Sequence, residues 1–265
     1  MITSHANERV KAIRRLADRK ARDESGLFWV EGLRLVGEAF DCGAAVQTLV
    51  VAPDLLRSDF GHGLVARARH QTVEVLEVSA EVFARLSQKD GPQGIAACVR
   101  PNWTRLDDAV VEPNCPWVAL EAVADPGNLG TILRTGDSAG AAGVILLDHS
   151  TDPYDPSAVR GSMGAVFAQR LVRTSLTELD AWRRRQGAAL IGTSDRGAQD
   201  YHAFRYPERS VILMGSERQG LSTQAVDRCD TVVRIPMLGR SDSLNLAVAT
   251  AVLLYEMVNQ RREAI

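Results

Sequence analysis

Three stretches in the second half of the chain combine glycines with side chains that carry charge or hydrogen bonds. They are VADPGNLGTILRTGDSAG (123–140), VILMGSERQGL (211–221) and IPMLGRSDSLNLAVATAVLLYEM (235–257). In the first, Pro126-Gly127 turns the chain and Asn128 opens a helix carrying Ile132, Leu133 and Arg134. Arg134 lies seven residues from Gly127, so the two share nearly one helical face. Helical side chains lean toward the N-terminus, which brings the guanidinium back over the turn. In the second, Gly215 permits close backbone approach by a ligand and Glu217 stands at the mouth of a sheet. In the third, Asp242, Ser243 and Asn245 crowd the entrance of an apolar helix. Each stretch has a plainer reading: a helix cap at Asn128 or Ser243, a solvated arginine, an ordinary strand–turn–helix connection. Donors, a carboxylate and a guanidinium at strand ends are nevertheless what is needed to hold and orient a ligand, because open α/β sheets bind beyond the carboxyl ends of their strands. None of the five histidines falls in these stretches, so the commonest general base is missing from them.

The elements that position these loops are legible as alternating runs. WVALEAV (117–123), GVILLD, GAALIGTS, VILMGSE and TVVRIPM are short apolar strands separated by helical patterns, which suits a parallel sheet covered on both faces. Leu244, Ala247, Val248, Ala251, Val252, Leu254, Tyr255 and Val258 recur at helical spacing. Upstream, GLFWVEG, VQTLVVA, TVEVLEV and GIAACV read as strands. Between them run a helix ended by Gly43, a basic helix through GLVARARH and a helix capped by Ser79. Residues 101–116 carry three prolines and little periodicity, which predicts a linker between a domain at 1–100 and a domain at 117–265.

At 265 residues the chain is long enough for two unequal domains, and 45% hydrophobic residues support a sizeable core. A net charge of −2 creates no global pull toward polyanions, so any such attraction is local. One local candidate is the N-terminal helix, where seven Lys or Arg stand against one Asp between Arg9 and Arg22. Cys42, Cys98, Cys115 and Cys229 are widely spaced, suggesting neither a zinc site nor a disulfide framework. The N-terminus lacks an apolar signal core, and no run approaches membrane-spanning length, so a cytoplasmic protein without a metal is expected. GHGLVA (61–66) matches a dinucleotide fingerprint, but neither a preceding strand nor a suitable acidic residue accompanies it.

Together the three stretches resemble, in order and spacing, the motifs of the SpoU/TrmH family of SPOUT RNA methyltransferases. Asn128 followed six residues later by Arg134 matches the first motif, and Gly215-Ser216-Glu217 the second. Ile235-Pro236-Met237 with Ser243-Leu244-Asn245 matches the third, and DPYDPSAVRGSMGAVF (152–167) is similar to the connecting segment. Gly136 stands where a small alanine is usual, Arg218 where glycine is commoner, and Asp242 adds a charge beside Ser243.

The resemblance implies transfer of a methyl group from S-adenosylmethionine to a ribose 2′-OH of RNA. It also implies a parallel-sheet domain with a deep trefoil knot, preceded by a smaller α/β domain like certain RNA-binding ribosomal proteins. By the same resemblance, Arg134, Asn128, Glu217, Ser243 and Asn245 form the catalytic set. Thr193, Gly215, Ile235, Met237 and Leu244 hold the cofactor, the C-terminal helices dimerise, and Arg9, Lys11, Arg14, Arg15, Lys20 and Arg22 meet RNA, with rRNA favoured by the N-terminal domain. Deprotonating a guanidinium near neutral pH costs roughly 7 kcal/mol. This favours phosphate and alkoxide stabilisation by Arg134 over the family's usual proposal of an arginine base. A tRNA methyltransferase and a catalytically silent RNA binder are the alternatives.

Overall fold

The computed structural model describes residues 1–88 and 90–263 and divides into two units. The first comprises Met1–Asn102 together with Tyr154–Phe167. Its elements are α1 (Glu8–Arg15), α2 (Arg19–Ser25), β1 (Phe28–Glu31), α3 (Leu33–Asp41), β2 (Val46–Val51), α4 (Asp59–His70), β3 (Glu74–Glu77), α5 (Ala80–Leu86) and β4 (Ile95–Val99). The strands form one sheet in the order β1-β4-β2-β3, antiparallel except for the β2–β3 pair. Val10 and Leu16 bury the apolar stripe of the N-terminal segment against Val82 and Phe83 of α5 and Trp29 of β1.

The basic N-terminal segment is two helices, not one. Asp18 is the N-cap residue of α2, and Arg22 turns inward, 4% exposed, donating Nη1 to the carbonyls of Leu16 and Ala17 at 2.9 and 2.8 Å. Its other terminal nitrogen lies 3.6 Å from Asp155. Arg22 therefore closes the interhelical turn, and its placement among the RNA-facing residues is corrected. A buried guanidinium persists only when its donors are matched in this way. GHGLVA lies inside α4, capped by Ser58, so it forms no phosphate loop.

The second unit, Trp103–Pro153 and Ala168–Ile265, holds β5 (Trp117–Glu121), α6 (Pro126–Ser138), β6 (Gly143–Leu147), β7 (Arg170–Thr174), α9 (Leu176–Arg185), β8 (Ala189–Thr193), β9 (Gln199–Asp200), β10 (Ser210–Met214), α10 (Thr223–Arg228), β11 (Thr231–Arg234) and α11 (Leu246–Glu263). Between β6 and β7 come α7 (Pro156–Ser162) and α8 (Ala165–Ala168). All seven strands are parallel, in the order β7-β6-β5-β10-β8-β11-β9. The first three step outward one way, the chain then returns to the other side, and β10 inserts between β5 and β8. β5, β6 and β10 are buried along their whole length, as their unbroken apolar runs require.

Two expected boundaries shift. The proline-rich stretch read as a linker is anchored at a few points. Ala109 and Val111 are fully buried, Trp182 and Trp117 donate their indole N–H to the carbonyls of Ala109 and Val110 at 3.0 Å, and Thr104 N–H donates to Leu171 on edge strand β7. An edge strand leaves a row of unpaired backbone groups, and Thr104 supplies a donor for one of them. The connecting segment expected in the second domain instead belongs to the first unit from Tyr154 to Phe167. There the Tyr154 ring meets Phe28 at 4.5 Å and its hydroxyl exchanges hydrogen bonds with the backbone of Asn102. Among the described residues, no helix is long and apolar enough to cross a membrane.

Candidate active site

The site lies at the carboxyl ends of β5, β8, β10 and β11, beside the point where strand order reverses. It begins with the entry to α6. Asp125, not Asn128, is the N-cap: its Oδ1 accepts from Gly127 N–H at 2.6 Å and Asn128 N–H at 3.2 Å, and Pro126 follows at the first helical position, where its missing N–H costs nothing. This frees the Asn128 side chain for a tertiary role. Its Nδ2 donates to Glu217 Oε1 at 3.0 Å, and its Oδ1 accepts from Asn245 Nδ2 at 2.9 Å.

Asn245 also caps α11, its Oδ1 accepting from the N–H groups of Ala247 and Val248 at 2.9 and 3.3 Å. Ser243, the expected cap, makes no hydrogen bond among the described residues. The relay has one sense only. Backbone N–H groups can only donate and the Glu217 carboxylate can only accept, so each amide between them has one orientation.

Glu217 completes the junction by accepting from the N–H groups of Ala124 and Asp125 at 3.2 and 3.3 Å. Burial pushes its carboxyl up, but the hydrogen bonds from Asn128 and from the backbone of Glu217, Ala124 and Asp125 outweigh this and hold it below its ordinary value. The loop carrying it is closed by a reciprocal pair of backbone hydrogen bonds between Ser216 and Gly220, each 3.0 Å. A Cβ at Gly215 would collide with the backbone of Gly220 and Leu221. The glycine is thus demanded by the loop's own return rather than by a ligand. The left-handed turn falls on Gly220, φ +66°, so the loop closes with an arginine at 218.

Next to this junction opens a cavity of about 630 Å3. Thr193, Gly215, Ile235, Met237 and Leu244 all line it, as do Glu217, Ser243 and Asn245. A volume of this size suits a nucleoside-sized ligand. Arg134 is not among its lining residues. It stands further along α6, exposed, and its guanidinium has no hydrogen bond or ion pair among the described residues. Ser138 Oγ donates to its carbonyl alone.

One supporting pair escaped the sequence reading. Glu121, 8% exposed at the end of β5, accepts from Ser222 N–H at 2.9 Å and Oγ at 2.6 Å, tying β5 to the start of α10. A lone carboxylate ending an otherwise apolar strand was its signal, since a buried charge needs such partners. Among the described residues no cluster of His, Cys, Asp and Glu is arranged to hold a metal ion. In the first unit, Arg9, Lys11, Arg15 and Lys20 are exposed but each faces a carboxylate: Glu74, Glu8 at 2.8 Å, and Glu24 at 3.7 and 3.9 Å. Arg14 is exposed without an ion pair among the described residues.

Residues 116–255 match the model of the SpoU rRNA Methylase family, and residues 7–97 match that of an MRM3-like substrate binding domain. A 23S rRNA (uridine(2479)-2′-O)-methyltransferase of Streptomyces viridochromogenes is 33% identical over 253 residues, covering 93% of this chain and 87% of that protein. A 23S rRNA (guanosine(2553)-2′-O)-methyltransferase of Bacillus subtilis is 28% identical, covering 97% and 98%. The crystal structure of an AdoMet-bound rRNA methyltransferase from Sinorhizobium meliloti superposes with a TM-score of 0.90 at 37% identity, over 100% of this chain and 98% of that one. Motifs, fold and relatives agree: the chain belongs to the SpoU rRNA methylase family.

Proposed function

We propose that this protein transfers a methyl group from S-adenosylmethionine to a ribose 2′-OH of 23S-type rRNA. The observation that carries the reading is the Asn245–Asn128–Glu217 relay, which locks three separate segments beside the cavity. The cavity suits the cofactor in size, in its apolar lining by Met214, Val233 and Leu244, and in the carboxylates of Asp195 and Asp242, which favour a cationic ligand. When bound, the cofactor supplies an electrophilic methyl on a positively charged sulfur.

The chain's own residues do the rest by alignment, which alone can lower a barrier by several kcal/mol. Gly215, Ile235 and Leu244 hold the adenosyl group with Thr193 and Met237, while Ser243 orients the ribose. Arg134 grips the target phosphate with its forked donors and stabilises charge developing on the 2′ oxygen, as phosphate or water accepts the proton. Arg9, Lys11, Arg14, Arg15 and Lys20 form the RNA-facing side of the N-terminal domain, where phosphate contacts need only modest displacement of surface ion pairs.

The same reading includes a homodimer. Val248 and Tyr255 are 48% and 51% exposed on α11, with the half-buried Ala251 and Val252 between them, an apolar stripe available to a second copy. It includes a trefoil knot in the C-terminal chain and a cytoplasmic location.

The test is methyl transfer from labelled S-adenosylmethionine to purified, unmodified rRNA and tRNA pools. Alkali-stable label at one ribose of rRNA is expected. Label confined to tRNA replaces the substrate, and cofactor binding without label in either pool contradicts the enzyme reading.

A further inference from the structure

Arg218 is one of the positions where the chain departs from the pattern it resembles, standing where glycine is commoner, and nothing in the relay uses it. It follows Glu217 directly and lines the cavity. Four charged side chains do so: Asp195, Glu217, Arg218 and Asp242. The Glu217 oxygens are occupied by Asn128, Ala124 and Asp125. Asp195 accepts from Ser194 Oγ at 3.0 Å. Arg218, on the same cavity as three carboxylates, forms no ion pair and no hydrogen bond among the described residues. Its backbone is nonetheless fixed, because the Ser216–Gly220 pair closes the loop and Gln219 N–H donates to Ser216 Oγ at 3.2 Å.

We propose that Arg218 binds the carboxylate of the cofactor's amino-acid end. The inference rests on the reading of the cavity as an S-adenosylmethionine site. That ligand brings two positive groups, a sulfonium and an ammonium, and one negative group. The cavity offers two carboxylates outside the relay, Asp195 and Asp242, and one guanidinium. The charges match in sign and in number. A forked guanidinium is suited to a carboxylate, which it meets with two parallel hydrogen bonds. Because Arg218 is unpaired beforehand, no internal ion pair has to break when the ligand arrives. RNA phosphate is the competing anion, and it has a better-placed partner in Arg134, which stands outside the cavity lining.

The test measures binding, not turnover. Titration calorimetry compares S-adenosylmethionine, S-adenosylhomocysteine and 5′-methylthioadenosine, the last of which lacks the amino-acid end. Arg218→Ala is expected to weaken the first two by about tenfold and to leave methylthioadenosine within about twofold, with Arg218→Lys in between. Methylthioadenosine falling equally would mean that the loop itself was disturbed, and overturns the assignment. Unchanged cofactor binding with weaker rRNA binding and a shallower salt dependence overturns it in favour of a phosphate contact. A wild-type protein that binds none of the three ligands contradicts the reading of the cavity instead.

Discussion

Asn245 and Asn128 are 117 residues apart, and the 2.9 Å hydrogen bond between their side chains joins the cap of α11 to the first turn of α6. With the bond from Asn128 to Glu217 it makes a single file of donors and acceptors from backbone to carboxylate. Asn128→Ala should therefore destabilise the fold by about 1 kcal/mol and slow single-turnover methyl transfer by about tenfold or more. Asn128→Asp should be worse than alanine, because it places a second carboxylate against Glu217. A double-mutant cycle with Asn245→Ala should return a coupling of roughly 0.5–1.5 kcal/mol. Additive effects would show that the relay is not a unit.

Glu217 sets a pH dependence whose sign follows from its lowered titration. Its folded carboxyl lies below the ordinary value of 4.5, so its contribution is fully present above that value and is lost as pH falls through the folded value. The stability difference between wild type and Glu217→Gln, followed by urea unfolding, should be flat from neutral pH down to about 5 and shrink below. A difference that changes between pH 6 and 8 would contradict this.

Two glycines should respond oppositely to alanine. At Gly136, inside α6, a Cβ would meet Ala141 Cβ at 3.6 Å and Gln169 Oε1 at 3.8 Å, ordinary contacts. Gly136→Ala should stabilise by about 0.5–1 kcal/mol through helix propensity and the entropy of the unfolded chain. Gly215→Ala should displace the 216–220 loop and weaken cofactor binding by at least about tenfold, an effect seen by calorimetry and thermal melting.

Val248→Glu with Tyr255→Glu should dissociate the proposed dimer while leaving the monomer folded, since both side chains are half exposed. Sedimentation velocity should show dimerisation weakened by at least about tenfold. A wild-type protein that is monomeric at every concentration would contradict the dimer.

The parallel core was legible because β5, β6 and β10 are uninterrupted apolar runs of strand length. Edge strand β7, RLVRT, was not, because arginines at both exposed positions hide it among polar residues. The anchoring of the stretch before β5 through Ala109 and Val111 was hidden by its prolines, which signal a linker whether or not single residues are buried. Arg22 looked like its neighbours in a basic run, and only the break between α1 and α2 turns it inward. At the site, the structure brings Asn128, Glu217 and Asn245 together at one junction, lines the adjoining cavity with Ser243, and leaves Arg134 outside that lining. The division of labour was not legible. Asp125 and Asn128 can each cap the same helix, and only a partner 89 residues away decides which does.

The most direct measurement is methyl transfer to unmodified rRNA by wild type, Arg134→Ala and Arg134→Lys, with the labelled nucleotide recovered after alkaline hydrolysis. The account predicts label in an alkali-stable dinucleotide, a loss of about a hundredfold or more with alanine, and little recovery with lysine, which lacks the fork. Label on a base, or lysine at near-full activity, would contradict it.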